Sequence, residues 1–206
     1  MVKNKPLLRS TPIKEKVSAK LILKMLEEAE EKNIMLNSIM IIRDGKVITE
    51  GYYKPYSECI ERSMHSATKS FTATAIGLLI DEGRLKLEDT VMSFFPEYAP
   101  ENPCDNLKKM NVWHLLTMTC GHDSVPPRKG TDNYVKQFLN HPVPYVPGTH
   151  FQYSSMASYM LTAIIRKVTG QNMTRYLRTR IFEPLGIYDA YCDTCPMGIE
   201  YGGGGL

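Results

Sequence analysis

The stretch Ser66–Glu82 constrains this chain more than any other. Phe71, Ala75, Ile76, Leu78, Leu79 and Ile80 make it apolar almost all round, which predicts a buried helix. Gly83 supplies the stop, because glycine accepts the left-handed conformation of a helix C-terminus. The first turn of this helix nevertheless reads Ser66-Ala67-Thr68-Lys69. Residues three apart share a helix face, so Lys69 lies beside the Ser66 hydroxyl, on the stripe continued by Ala73, Ile76 and Ile80. A lysine there also meets the positive end of the helix dipole. A buried amine that gives up its proton can serve as a base, and a base beside a hydroxyl makes a nucleophile. Two plainer explanations compete: Ser66 as an N-cap, and Lys69 extending its head to water.

A length of 206 residues suits one domain with a good core, or one and a half. With 43% hydrophobic and 23% charged residues, the composition is that of a soluble globular protein. A net charge of +3 is too mild to argue for nucleic acid. Lys3, Lys5, Lys14, Lys16 and Lys20 read as a solvated face, since Glu27, Glu28, Glu30 and Glu31 follow. No apolar run reaches membrane-spanning length, and Met1–Pro6 has no apolar signal core behind it, so the expected location is the cytoplasm. Cys59, Cys104, Cys120, Cys192 and Cys195 are then expected to be reduced. Cys192-Asp193-Thr194-Cys195 has no second pair and no flanking histidine, so it reads as loop cysteines rather than a zinc or redox site. No cofactor is called for.

Residues 1–36 read as an N-terminal extension with an amphipathic helix over 15–33, its apolar side formed by Val17, Leu21, Met25, Leu26 and Ala29. Residues 37–206 read as the main domain. Strands are expected at Ser38–Ile42 and Val47–Tyr53, joined at Arg43-Asp44-Gly45-Lys46, because Asp-Gly accepts positive φ at both turn positions. After Ser66–Glu82, Pro96, Pro100 and Pro103 break the chain. Asn111 is expected to cap a short helix through Trp113, Leu115, Leu116 and Met118. Gly121–Gly130 reads as a polar loop. Ser155–Gly170 reads as a helix, with Arg166 and Lys167 in its last turn, and another runs from about Asn172 to Phe182 and stops before Pro184. Only two strands are evident, and such a hairpin needs further strands or a covering helix.

Tyr153-Ser154-Ser155 lies between the Pro147-Gly148 turn and the start of that helix. By itself this could be a packed aromatic followed by an N-cap serine. Ser-x-x-Lys opening a helix, with Tyr-x-Ser some eighty residues later, resembles the serine β-lactamase and penicillin-binding protein superfamily, closest to its class C-like serine hydrolases. Met40–Lys46, Leu79–Leu85, His114–Thr119 and Phe182–Ile187 look like the same family, so the resemblance covers roughly 37–206.

The resemblance implies an α+β, β-lactamase/transpeptidase-like fold. A helical region would pack on an antiparallel sheet, incomplete in this chain, with the site in the cleft between them. It implies Ser66 as the acylated nucleophile, Lys69 as the group that eases its deprotonation, Tyr153 as proton relay, and Ser155 as a partner of lysine and substrate. One oxyanion donor would be the Ser66 N–H. The implied partner is a small ester, amide or lactam. The family's third motif, Lys-Thr-Gly or His-x-Gly, is absent: the sequence ends in Gly202-Gly203-Gly204-Gly205-Leu206. A truncated reading frame is the expected explanation. An inactive fragment, or a non-catalytic binding module of the same fold, therefore stands as the alternative. A Ser-His-Asp hydrolase is disfavoured: His65, His114, His122, His141 and His150 exist, but no Gly-x-Ser-x-Gly surrounds any serine. The oligomeric state is left open.

Overall fold

A computed structural model describes residues 7–58, 60–128 and 132–206. Lys3, Lys5, Cys59 and the Gly130 end of the polar loop lie outside these described residues. The chain divides into two compact units, Met1–Arg62 and Ser63–Leu206.

The first unit contains strand β1 (Leu8–Arg9), helix α1 (Ala19–Glu31) and the hairpin strands β2 (Ser38–Arg43) and β3 (Lys46–Tyr52). The hairpin turn takes the anticipated form, with φ of +48° at Asp44 and +73° at Gly45. The sheet, however, has three strands in the order β1-β3-β2, and β1 runs parallel to β3. The purely antiparallel expectation is thus corrected to a mixed sheet. A two-residue exposed strand leaves no periodic pattern to read; an Arg9–Glu50 ion pair and the Val47 carbonyl, which accepts from Ser10 N–H, hold it in register.

Helix α1 is shorter than the expected 15–33. Lys16 has φ +57°, incompatible with a helix, and Ser18 caps the N-terminus by accepting from Leu21 N–H at 3.4 Å. Glu15 is engaged instead by Lys46 Nζ at 2.8 Å and Ser10 Oγ at 2.7 Å. The buried residue of α1 is Ile22, while Leu21 and Met25, expected on the apolar side, are exposed.

The second unit is helical. A 3-10 turn (His65–Ala67) leads into α2 (Thr68–Asp81), followed by α3 (Val91–Phe94), α4 (Asp105–Lys109), α5 (Val112–Leu116), α6 (Tyr134–Leu139), α7 (Ser155–Thr169) and α8 (Met173–Leu177). The central helix is α7. Ten consecutive residues, Met156–Ile165, are buried, and α2, α5, α6 and α8 all pack on it. The buried Thr162 is tolerated because its hydroxyl is satisfied: Oγ1 lies 2.8 Å from the Tyr159 carbonyl and 2.6 Å from that of Glu200. Helix α2 buries only the face of Thr68, Thr72, Ala75, Ile76 and Leu79; Ala73 and Gly77 are exposed. The expectation of burial all round α2 is thereby corrected.

Asn111 caps α5 as anticipated, in a reciprocal pair with His114 in which each side chain accepts from the other's backbone N–H at 3.1 Å. Gly170 closes α7 in the left-handed conformation, φ +70°. Helix α6, which buries Tyr134, Val135, Phe138 and Leu139, has no counterpart among the elements expected from the sequence. The expected 172–182 helix is α-helical only through Leu177. A wider turn (Arg178–Phe182) and a 3-10 turn (Glu183–Leu185) containing Pro184 come after it. Cys192 and Cys195 are buried in a loop, where Cys195 Sγ meets the Tyr159 hydroxyl at 3.3 Å. Among the described residues no helix is long and apolar enough to cross a membrane, and no group of three or more His, Cys, Asp or Glu could hold a metal ion.

Candidate active site

Ser66 lies in the 3-10 turn that precedes α2. The residue before it, His65, is held at φ +45°, a conformation that costs a non-glycine residue about 1–2 kcal/mol. Strain of this kind persists where the surroundings over-determine it. The Ser66 side chain caps nothing: the capping positions are Met64 and Ala67, and neither 3-10 turn nor helix has a side-chain cap bond. Ser66 Oγ instead lies 2.8 Å from the Tyr153 hydroxyl and accepts from Lys69 Nζ at 3.1 Å.

Lys69 projects one turn further on, as the three-residue spacing requires. It is half-buried and keeps its head inside the site. Nζ donates to Ser66 Oγ, to the Gly203 carbonyl, and at a long 3.5 Å to Ser155 Oγ. It also sits 5.0 Å from the centre of the Tyr153 ring, within cation–π range. The deeply buried lysine expected from the sequence is therefore corrected to one at the edge of an open site. Its poor position in the first helical turn is offset by three oxygen acceptors.

Tyr153 and Ser155 come from the segment entering α7. Ser154 takes the capping duty, accepting from Ala157 N–H at 3.2 Å, which frees Ser155 to face Lys69. Tyr153 is 49% exposed, so it is not a packed aromatic. Its hydroxyl is pulled below the usual tyrosine value, first by the hydrogen bond from Ser66 and then by Lys69. A phenol lowered in this way reaches its phenolate form more readily, and the phenolate can accept a proton from the serine. All four residues singled out in the sequence meet at one place, within the second unit. Among the described residues no histidine nitrogen is bonded to Ser66 Oγ.

Sequence reasoning missed the glycine-rich segment as part of this site. Gly203 offers its carbonyl to Lys69, and Gly202 offers its carbonyl to Thr72 Oγ1 at 2.8 Å. The segment runs so close to α2 and α7 that side chains would collide. A Cβ on Gly202 would stand 2.4 Å from Thr162 Cγ2, and one on Gly203 2.8 Å from Ser155 Cβ. Four successive glycines were the available signal, and close backbone approach is what they permit. Arg128, Ser155, Asp193, Tyr201 and Gly203–Gly205 line a polar cleft beside the site.

A family model described as Beta-lactamase matches residues 29–201. "Protein flp" of Staphylococcus aureus (strain COL) is 32% identical over 164 residues, covering 72% of this chain and 33% of that protein. "Esterase EstB" of Burkholderia gladioli is 27% identical over 155 residues, covering 66% of this chain and 39% of its own length. Among solved structures, a "Beta-Lactamase/D-Alanine Carboxypeptidase" from Pseudomonas syringae superposes with a TM-score of 0.67 at 25% identity, over 82% of this chain and 51% of that one. The chain thus spans roughly a third of the length of the first curated relatives it matches.

Proposed function

Because the chain belongs to the β-lactamase family, whose model matches most of its length, we propose that it is the catalytic-serine portion of a hydrolase. It would cleave a small ester, amide or lactam through an acyl-enzyme on Ser66. The observation that carries this reading is the continuous chain Lys69 Nζ–Ser66 Oγ–Tyr153 hydroxyl, at 3.1 and 2.8 Å. These are distances at which a proton moves between heteroatoms.

In the proposed first step, Ser66 Oγ attacks the substrate carbonyl carbon while its proton passes to the oxygen of Tyr153 in its phenolate form. Lys69, donating to Oγ, favours the anion that develops there. The tetrahedral intermediate collapses, the carbonyl–leaving-group bond breaks, and Tyr153 returns its proton to the leaving atom. Water then attacks the acyl carbon, with Tyr153 again taking and returning a proton, and Ser66 is released. Ser155 would help to orient Lys69 and the substrate. The Ser66 N–H would donate to the oxyanion, an interaction whose removal costs about 10²–10³ in rate in a complete site.

Esterase EstB is named for ester cleavage and the Pseudomonas protein for lactam and peptide cleavage. Both chemistries proceed by acyl transfer, which supports the reaction class without choosing the substrate. Intact-protein mass after exposure to a fluorophosphonate tests the reading. A single adduct is expected on the wild type and none on Ser66→Ala, with labelling much slowed in Tyr153→Phe. A folded wild type that takes no adduct favours a non-catalytic binding module of the same fold.

A further inference from the structure

Glu200 is 4% exposed, and its carboxylate is held by neutral donors rather than by a paired cation. Thr174 N–H donates to Oε2 at 3.0 Å, and the Thr174 hydroxyl donates to Oε1. Arg166 acts on it only as a more distant charge, and burial pushes its acidity weaker than usual. Removing a carboxylate from water is costly, so its retention here calls for a reason.

That reason lies in the backbone on either side of it. The Glu200 carbonyl accepts from Thr162 of α7 at 2.6 Å, while its side chain ties to the first turn of α8. Tyr201 N–H donates to the Asp193 carbonyl at 2.8 Å. Two residues beyond Glu200, the Gly202 carbonyl accepts from Thr72 of α2. Three residues beyond it, the Gly203 carbonyl accepts from Lys69. The glycines bring no side chains of their own with which to anchor the segment, so the two residues just before them hold it: the Tyr201 ring packs on Tyr134 of α6 and Tyr159 of α7, and the Glu200 carboxylate supplies the polar tether to α8. Asn172 Nδ2 adds a bond to the Gly198 carbonyl at 3.1 Å, which fixes the approach to Glu200.

We infer that Glu200 is a positioning residue: tied to Thr174, it seats the glycine-rich segment so that the Gly203 carbonyl holds the Lys69 ammonium against Ser66. This rests on the proposed roles of Ser66, Lys69 and Tyr153. A carboxylate suits the task because two oxygens accept the amide and hydroxyl protons of one threonine. A glutamine can keep both tethers, since its oxygen accepts from the N–H and the Thr174 hydroxyl can turn to accept from its amide.

The test combines fluorophosphonate labelling of Ser66 with the 13Cε/1Hε NMR resonance of Lys69, assigned by its loss in Lys69→Arg. Thermal midpoints are recorded alongside, and all rates are taken where each variant is folded. Glu200→Ala is expected to slow labelling about 10²-fold, the effect of misplacing a reacting group by about 1 Å, and to shift the Lys69 resonance. Glu200→Gln should label within threefold of wild type and leave the resonance in place. Thr174→Val, which removes the hydroxyl tether and keeps the amide, should fall between them and provides the answer if Glu200→Ala does not fold. Wild-type labelling rates and an unmoved Lys69 resonance in folded Glu200→Ala and Thr174→Val would overturn the inference. If the wild type takes no adduct, the hydrolase reading fails, and the Lys69 resonance alone still decides whether Glu200 positions the amine.

Discussion

Gly202→Ala offers the sharpest test of how the glycine-rich segment is seated. The added methyl would lie 2.4 Å from Thr162 Cγ2, 2.8 Å from Thr72 Oγ1 and 2.9 Å from the Ser158 carbonyl. Neither threonine can swing away: both are about 1% exposed, on the facing sides of α2 and α7. Over-packing a tight interior costs about 1–3 kcal/mol. Pushing Thr72 off the Gly202 carbonyl at 2.8 Å adds about 1 kcal/mol for a lost buried hydrogen bond. The expected loss is about 3 kcal/mol, which in a chain of this size lowers the thermal midpoint by roughly 6–12 °C. Gly77→Ala is the control. It lies inside α2 with nothing within 4 Å of the new Cβ. There the helix propensity of alanine should add about 1 kcal/mol and raise the midpoint by roughly 2–4 °C. Circular dichroism at 222 nm during heating reads both. A Gly202→Ala midpoint within about 2 °C of wild type, below the smallest shift that scaling allows, would refute the seating of Gly202 between α2 and α7.

Two further expectations concern pH. Because Ser66 and Lys69 lower the Tyr153 hydroxyl, the labelling rate should rise with pH at a midpoint below that of an ordinary tyrosine, as the phenolate becomes available. The rise should vanish in Tyr153→Phe; its survival there would remove Tyr153 from the proton path. His122 is 2% exposed, and burial first, then the ring of His141, pushes it down to about 4, against a weaker opposing pull from Asp123. The folded chain therefore holds it neutral. That contribution is complete above about pH 6.5 and is lost as the pH falls from there towards 4, a change of about 3 kcal/mol. Urea unfolding at about pH 7.5 and about pH 4.5, on either side of that window, should show wild type losing more stability than His122→Phe; equal losses would contradict a buried neutral imidazole.

The sequence by itself determined the local geometry. Asp44-Gly45 set the hairpin turn, Asn111 and Gly170 set helix ends, and the three-residue spacing of Ser66 and Lys69 set two side chains on one helical face. Each is fixed by interactions within a few residues, so each was legible. Tyr153 and Ser155 could be paired with them only through a family resemblance, because no local rule brings together groups eighty residues apart. Tertiary structure decided the rest. It made α7 the central helix, since burial depends on which faces find partners as well as on how apolar they are. It gave Ser154 the capping role and left Ser155 free, a choice between two adjacent serines that composition does not encode. It paired Leu8–Arg9 with β3, a contact too short and too exposed to leave a pattern. It also turned the glycine run into a structural part of the site: glycine marks where backbones come close, but only the packing of α2 against α7 shows what they approach.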